Sequence, residues 1–284
     1  MHVAERLRGF LDLARPGNAV AAGVLTFTGA FVAGGALRQP LAVLAAVLAT
    51  AFATAAGNAV NDYFDRDIDR INRPDRPIPR GAVTPRGTLL YSGALFLCAV
   101  VAAITLPLLA LGIAVLNLLA LLAYTELFKG LPGVGNVVVA YLTGSTFLFG
   151  GAAVGRPLGA ATLFVLAALA TLTREIVKDV EDLAGDREEG LRTLPIVIGE
   201  RRALWVGVGA LVVAVLASVV PFLRGTFGIG YLVLVLPADG VMVQATAAAF
   251  TDPGVGQRRL KRGMFLAAGA FVVGRLLTLT GGQL

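Results

Sequence analysis

Long apolar segments, broken by short charged or proline-rich ones, set the rhythm of this chain. Apolar runs occupy residues 18–37, 40–60, 88–107, 109–127, 133–154, 157–177, 203–222, 227–250 and 264–280. Most come close to the roughly 20 residues that a helix needs to cross a bilayer. The pattern predicts an all-α, polytopic membrane protein with nine transmembrane helices. Three polar segments between the runs are long enough to be substantial loops: residues 72–81, 185–202 and 251–262. In the first, Pro74, Pro77 and Pro79 break any helix and force a stiff, extended crossing. The third opens on Asp252-Pro253-Gly254, a turn signal.

Composition agrees, because 57% hydrophobic residues against 15% charged ones leave too little charge for a soluble surface of this length. Positive charge is spread unevenly along the chain. With the N-terminus inside, twenty of the 24 Lys and Arg fall on the cytoplasmic side, Arg38, Arg156 and Arg224 fall opposite, and Arg275 lies inside the last span. Because Lys and Arg near span ends are retained in the cytoplasm, the reading is a multi-pass protein of the cell membrane whose polar loops and active site face the cytoplasm. The formal charge of +6 then describes a basic inner rim facing anionic lipid or a phosphate-bearing substrate. No basic helix interleaved with exposed aromatics points to nucleic acid. A single His2 and a single Cys98 exclude a His-based triad, a thiol mechanism and an intrachain disulfide.

Two acidic clusters about 117 residues apart interrupt this apolar background. The first runs from Asn61-Asp62 through Asp65 to Asp69-Arg70, the second from Lys178-Asp179 through Asp182 to Asp186-Arg187, and their carboxylates are in register. On a helix Asn61, Asp65 and Asp69 share one face, as do Lys178, Asp182 and Asp186, flanked by Asp62 and Asp179. Crowded carboxylates at a span end need a cation, and hard oxygen ligands favour Mg²⁺, which prefers few protein ligands together with waters and phosphate oxygens. Two facing clusters of this kind would hold a diphosphate between them. Arg66, Arg70, Arg73, Arg76, Lys129, Lys178 and Arg192 supply complementary charge. The chemistry left open is departure of diphosphate from an allylic carbon, with an apolar pocket sheltering the carbocation until an acceptor attacks.

The motif Asn61-Asp62-x-x-Asp65-x-x-x-Asp69, followed by Arg73-Pro-x-Arg76-Pro-x-Pro and matched by Lys178-Asp179-x-x-Asp182-x-x-x-Asp186, resembles the UbiA superfamily of intramembrane prenyltransferases. Ala14-Arg15-Pro16-x-Asn18 extends the likeness to the first span. The resemblance implies nine helices around a central chamber, cytoplasmic loops capping it, and Mg²⁺ bridging the diphosphate to both motifs. It assigns Mg²⁺ to Asn61, Asp65, Asp69, Asp182 and Asp186, with Lys129 as a further catalytic residue. Arg15, Arg76, Lys129 and Lys178 would contact phosphate oxygens, with Arg66, Arg70 and Arg192 assisting. Asp62 and Asp179 would assist in holding substrate, Asn18 would lie near the chamber mouth and Tyr124 beside the cation. The stretches 174–182, 193–195 and 135–151 resemble the archaeal ether-lipid branch, which implies transfer of a geranylgeranyl group to the free glycerol hydroxyl of geranylgeranylglyceryl phosphate.

Two other functions fit parts of the pattern. An aromatic acceptor, as in quinone, haem or chlorophyll pathways, keeps the chemistry and changes the pocket. A cation transporter would use the acids as ion sites, but it predicts acids near the midplane, whereas these sit at span ends. The chain reads as one domain, 1–284, made of two pseudo-repeated halves of about 1–130 and 131–284. Gly151, Gly155 and Gly159, at four-residue steps, read as a helix-packing stripe. Arg275 should pair or face the chamber, with Asp239 as a possible partner, and Trp205 reads as an interfacial anchor.

Overall fold

The computed structural model describes residues 3–124 and 131–281, and every regular element among them is helical. The first half contains α1 (Val3–Ala14), α2 (Pro16–Val32), α3 (Pro40–Phe64), α4 (Arg66–Asn72), α5 (Pro85–Ala103) and α6 (Leu108–Ala123). After it come α7 (Val134–Ala153), α8 (Pro157–Glu181), α9 (Leu183–Glu188), α10 (Leu194–Ile198), α11 (Glu200–Ser218), α12 (Val220–Leu223), α13 (Ile229–Ala248) and α14 (Pro253–Leu279).

Each of the nine apolar runs contributes to a helix. Seven helices are long and apolar enough to cross a membrane, whereas α2 and α6, with 17 and 16 described residues, fall short of that length. Proline opens many of the helices, where its missing N–H costs nothing. Thr84 caps α5 by accepting from the Gly87 amide at 3.0 Å, and Asp252 caps α14 by accepting from the Val255 amide at 2.8 Å. That second cap corrects one expectation: residues 253–262 are the first turns of α14, with the basic cluster on the helix, because Asp252-Pro253 starts a helix as readily as a turn. α1 packs onto α3 and the loop before α5, burying Leu13 against Ala59, Ala82 and Val83.

The duplication seen in the acidic motifs runs through the backbone. Helices α3 and α8 each have 25 residues and follow flanking residues of nearly equal geometry, Gln39 at φ −132°, ψ 57° and Arg156 at φ −131°, ψ 55°. At their far ends each breaks at an aspartate, Asp65 at φ −80°, ψ 0° and Asp182 at φ −88°, ψ 3°. A short helix, α4 or α9, then continues. α3 packs along α5 as α8 packs along α11, and α2 lies on α3 as α7 lies on α8.

α2 and α7 join the two sets of helices through backbone contact. A Cβ on Gly29 would lie 2.0 Å from the Phe147 carbonyl oxygen, and one on Gly150 would lie 2.0 Å from that of Thr26. Such proximity suits a lipid environment, where helix association rests on close van der Waals packing. Beside the crossing, Val32, Phe147, Leu163, Phe227, Tyr231, Val235, Ala270 and Phe271 form a buried aromatic cluster that ties α13 and α14 to it. Leu90, Leu97, Leu116 and Val213 face outward, as lipid contact requires. The Gly151-Gly155-Gly159 stripe is not a single face: Gly155, at φ +69°, is the turn between α7 and α8, while Gly151 packs on Ala160 and Gly159 on Ala33. Asp239 and Arg275 are not partners; Asp239 bonds Ser218 at 2.7 Å, and Arg275 reaches Thr278.

Overpacking a crossing of this kind costs about 1–3 kcal/mol per inserted group. Gly29→Ala and Gly150→Ala are expected to lower the melting temperature of detergent-purified protein by several degrees. Gly93→Ala, which meets nothing within 4 Å, is expected to leave it unchanged; equal melting of all three would refute the close crossing.

Candidate active site at the helix breaks

Both acidic clusters lie at one end of the helices, around the breaks that terminate α3 and α8. The expectation of a continuous helix through each cluster needs one change. The i→i−4 bonds persist across the breaks, Asp65 N to Asn61 O at 2.9 Å, Asp69 N to Asp65 O at 2.8 Å, Asp182 N to Lys178 O at 2.9 Å and Asp186 N to Asp182 O at 3.0 Å. The central aspartate has nevertheless left helical geometry, so each cluster is two helical pieces hinged at its middle carboxylate.

Asp62 is the buried anchor of the first cluster. Its side chain is 4% exposed, and one oxygen, Oδ1, accepts from Arg15 Nη2 and, at 2.7 Å, from Arg76 Nη1. The other oxygen is buried without a partner. Arg15 links α1 to α2 at φ 45°, the single positive φ outside glycine among the described residues. That conformation costs about 1–2 kcal/mol. It is held by the pairing with Asp62 and by Asn58 Nδ2, which donates to the Ala14 carbonyl at 3.2 Å. Arg80 fixes the proline-rich loop from the other side, donating to Asp12 Oδ2 at 2.6 Å and to the Asp75 carbonyl at 2.8 Å. Between these groups opens a cleft of about 530 Å³ lined by Asp12, Arg15, Asn72, Arg73, Arg76 and Arg80 with Pro74 and Pro77.

Other residues singled out from the sequence are spread around this anchor. Asp69 is buried, whereas Asn61 and Asp65 are half-exposed. Arg66 donates to the Tyr63 carbonyl at 2.8 Å and lies over its ring, and Arg70 pairs with Asp67 at 3.1 Å on the exposed side of α4. Asn18 is exposed in the first turn of α2.

In the second cluster a neutral amide replaces the two guanidinium groups. Asn136, buried in the first turn of α7, donates from Nδ2 to Asp179 Oδ2 at 2.8 Å. Lys178 and Asp182 form an i,i+4 pair at 3.8 Å, both about half-exposed. Burial holds the Asp186 carboxyl above the usual carboxylate range; the Thr193 hydroxyl opposes this and the neighbouring charge of Asp182 adds to it. Tyr124 lies within electrostatic reach of Lys178, Glu175 and Asp179. Arg192 is exposed on the loop before α10. Lys129 lies outside the described residues. Sequence reasoning missed the roles of Asn136, Asn58 and the Asp12–Arg80 pair. A lone Asn at the start of an apolar span was the one available signal.

Among the described residues no three acidic, His or Cys side chains stand close enough to hold a metal by themselves. The donors at the breaks, carboxylates and one amide, are nevertheless of the hard oxygen type that suits Mg²⁺, an ion that keeps waters and phosphate oxygens in its shell. The arrangement fits a metal shared with a phosphorylated ligand and does not form a closed protein cage.

Comparison with known proteins supplies the lineage. The model of the UbiA prenyltransferase family matches residues 22–269. The chain belongs to that family. It is 64% identical over 282 residues to the digeranylgeranylglyceryl phosphate synthase of Haloquadratum walsbyi, covering 99% of each chain. To the synthase of the same name from Natronomonas pharaonis it is 66% identical over 273 residues, 96% of this chain and 98% of that one. A solved structure of a digeranylgeranylglyceryl phosphate synthase superimposes with a TM-score of 0.86 at 35% identity, covering 96% of this chain and 99% of that chain. The fold also matches a UbiA homologue from Archaeoglobus fulgidus bound to GPP and Mg²⁺, with a TM-score of 0.62, 17% identity and coverage of 96% and 99%.

Removing one member of a buried ion pair strands the other, at a cost of about 3 kcal/mol or more. Asp62→Ala is therefore expected to release Arg15 and the loop of residues 73–84 together, seen as faster amide exchange in that loop. Asp67→Ala, which breaks an exposed pair, should leave exchange there unaltered; unchanged protection in Asp62→Ala would refute the anchor.

Proposed function

We propose that this protein transfers a geranylgeranyl group from geranylgeranyl diphosphate to the free glycerol hydroxyl of geranylgeranylglyceryl phosphate, releasing diphosphate, in a Mg²⁺-dependent step of ether-lipid synthesis. The observation that carries the reading is end-to-end identity of 64% and 66% to synthases named for that product. The paired helix breaks supply chemistry of the right kind.

In this proposal the donor's diphosphate lies between the breaks at Asp65 and Asp182. Asn61, Asp65 and Asp69 from the first cluster and Asp182 and Asp186 from the second would hold Mg²⁺, which supplies neutralisation of the leaving group's charge. Arg15, Arg76, Lys129 and Lys178 balance the remaining phosphate charge, with Arg66, Arg70 and Arg192 at the rim. Asp62 keeps Arg15 and Arg76 in position, and Asn136 does the same for Asp179. The allylic C–O bond breaks with its electron pair leaving on diphosphate, the glycerol oxygen attacks the cation, and its proton passes to phosphate or solvent. Asn18 and Tyr124 border the path of the prenyl chain, and the apolar helix walls keep water from the cation. The polar breaks face the cytoplasm, and nine spanning helices in two related halves enclose the chamber.

Purified protein in lipid, supplied with labelled geranylgeranyl diphosphate, geranylgeranylglyceryl phosphate and Mg²⁺, is expected to yield the doubly prenylated phosphate by mass spectrometry. Asp65→Ala and Asp182→Ala should each lower turnover by roughly 10²–10³-fold, the scale of removing one electrostatic stabiliser of a leaving group, while the melting temperature stays within a few degrees. Chelation should stop the reaction and added Mg²⁺ restore it. Incorporation into an aromatic acceptor alone would overturn the acceptor assignment, and near-normal turnover in either variant would overturn the metal assignment.

A further inference from the structure

The end of the helices away from the acidic breaks carries a second concentration of charge. Residues 33–39 join α2 to α3 there, and residues 154–156 join α7 to α8. The two turns interlock: Gln39 Nε2 donates to the Val154 carbonyl at 3.1 Å, and a Cβ on Gly35 would stand 2.4 Å from the Val154 side chain. Arg38 projects from the first turn and Arg156 from the second, both exposed. Arg275, near the end of α14, lies over Gly34, where φ is +81° and a Cβ would fall 2.1 Å from Nη2 of the guanidinium. Glycine there satisfies the backbone and makes room for the arginine at once. The charges of Arg38 and Arg156 both bear on Arg275.

Among the described residues no acidic side chain pairs with these arginines. Residues 33–39, 104–107, 154–156 and 219–228, which connect helices at this end, contain no Asp or Glu. Arg275 Nη1 reaches Thr278 Oγ1 at 3.4 Å, and its Nε is buried without a partner. Arg38 and Arg156 form no ion pair among the described residues. α2, α7 and α14 end nearby, and their C-terminal dipoles offset about half a charge each, which still leaves three guanidinium groups with a positive excess. Like charges held at a membrane boundary repel unless an anion lies among them.

We propose that Arg38, Arg156 and Arg275 bind the phosphate of a phospholipid head group in the leaflet opposite the acidic breaks. The position favours lipid over dissolved phosphate. Leu37, Leu41 and Leu158 flank the arginines with strongly exposed apolar surface, which offers acyl chains a contact beside the charged forks. Guanidinium groups from two connections and one helix end give planar, bidentate contacts that a lone lysine does not.

The test is native mass spectrometry of the full chain purified from mixed vesicles of phosphatidylglycerol and phosphatidylcholine. Wild type is expected to retain phosphatidylglycerol preferentially. Arg38→Gln with Arg156→Gln, both exposed and outside the packed core, should cut that retention about fivefold for each charge removed. The control, Arg224→Gln, an exposed arginine on a separate connection at the same end, should match wild type. Equal retention in the arginine double variant and wild type, or equal loss in the control, overturns the site. Displacement of phosphatidylglycerol by millimolar inorganic phosphate at constant ionic strength would assign the arginines to a free anion and overturn the lipid assignment. Prenyl transfer is read separately, and it neither supports nor replaces the retention measurement.

Discussion

The close crossing of α2 and α7 is the constraint on which the site depends. Gly29 and Gly150 let two backbones touch, and the N-terminal ends of the same helices carry the groups that hold the clusters. Arg15 immediately precedes α2 and grips Asp62, while Asn136 in the first turn of α7 grips Asp179. The crossing therefore relates the two breaks to each other through short, rigid levers. Side chains in place of those glycines would separate the helices and the anchors with them. Lipid supplies no hydrophobic drive to bring helices together, so steric fit has to do so.

α3 and α8 are two similar frames with different linings. The helices α3 and α8 share length, entry geometry and break. At the anchoring carboxylates they part: Asp62 is neutralised by two arginines, whereas Asp179 accepts a hydrogen bond from an uncharged amide. The first frame is thereby locked to the proline-rich loop and to α1, and its strained Arg15 is tolerated because several contacts determine it together. The second frame has no such ion-pair anchor, and Lys178 meets Asp182 only at 3.8 Å with both side chains about half-exposed. A common backbone thus carries one break anchored by ion pairs and one anchored by a single amide.

Much of this was legible in the sequence. Each apolar run marked a helix, seven of them long and apolar enough to cross a membrane, and the register of Asp62, Asp65 and Asp69 on Asp179, Asp182 and Asp186 pointed to the two matching helix ends and the family. Other features were hidden for physical reasons. Spacing alone does not distinguish a helix from one hinged at its middle residue, because the i→i−4 bonds run through Asp65 and Asp182 unbroken. Asp62 reads like its acidic neighbours, and only the packing of α1 and the loop against it reveals an ion-pair anchor. The glycines at 151, 155 and 159 were legible in part: Gly151 and Gly159 pack closely on Ala160 and Ala33, whereas Gly155, at φ +69°, ends the helix.

Length gives the hinges a further consequence. A helix of 25 residues, as α3 and α8 each are, extends about 37 Å, against about 30 Å for the hydrocarbon layer of a bilayer. With the proline ends set at one boundary, the aspartate hinges emerge into the hydrated head-group zone at the other, even after modest tilt. An amphiphile can then keep its charged end in a wet stratum and its tails in oil throughout its stay. For the proposed substrates, entry and exit would then be lateral drift within one half of the membrane, with no need to drag a polar head across it.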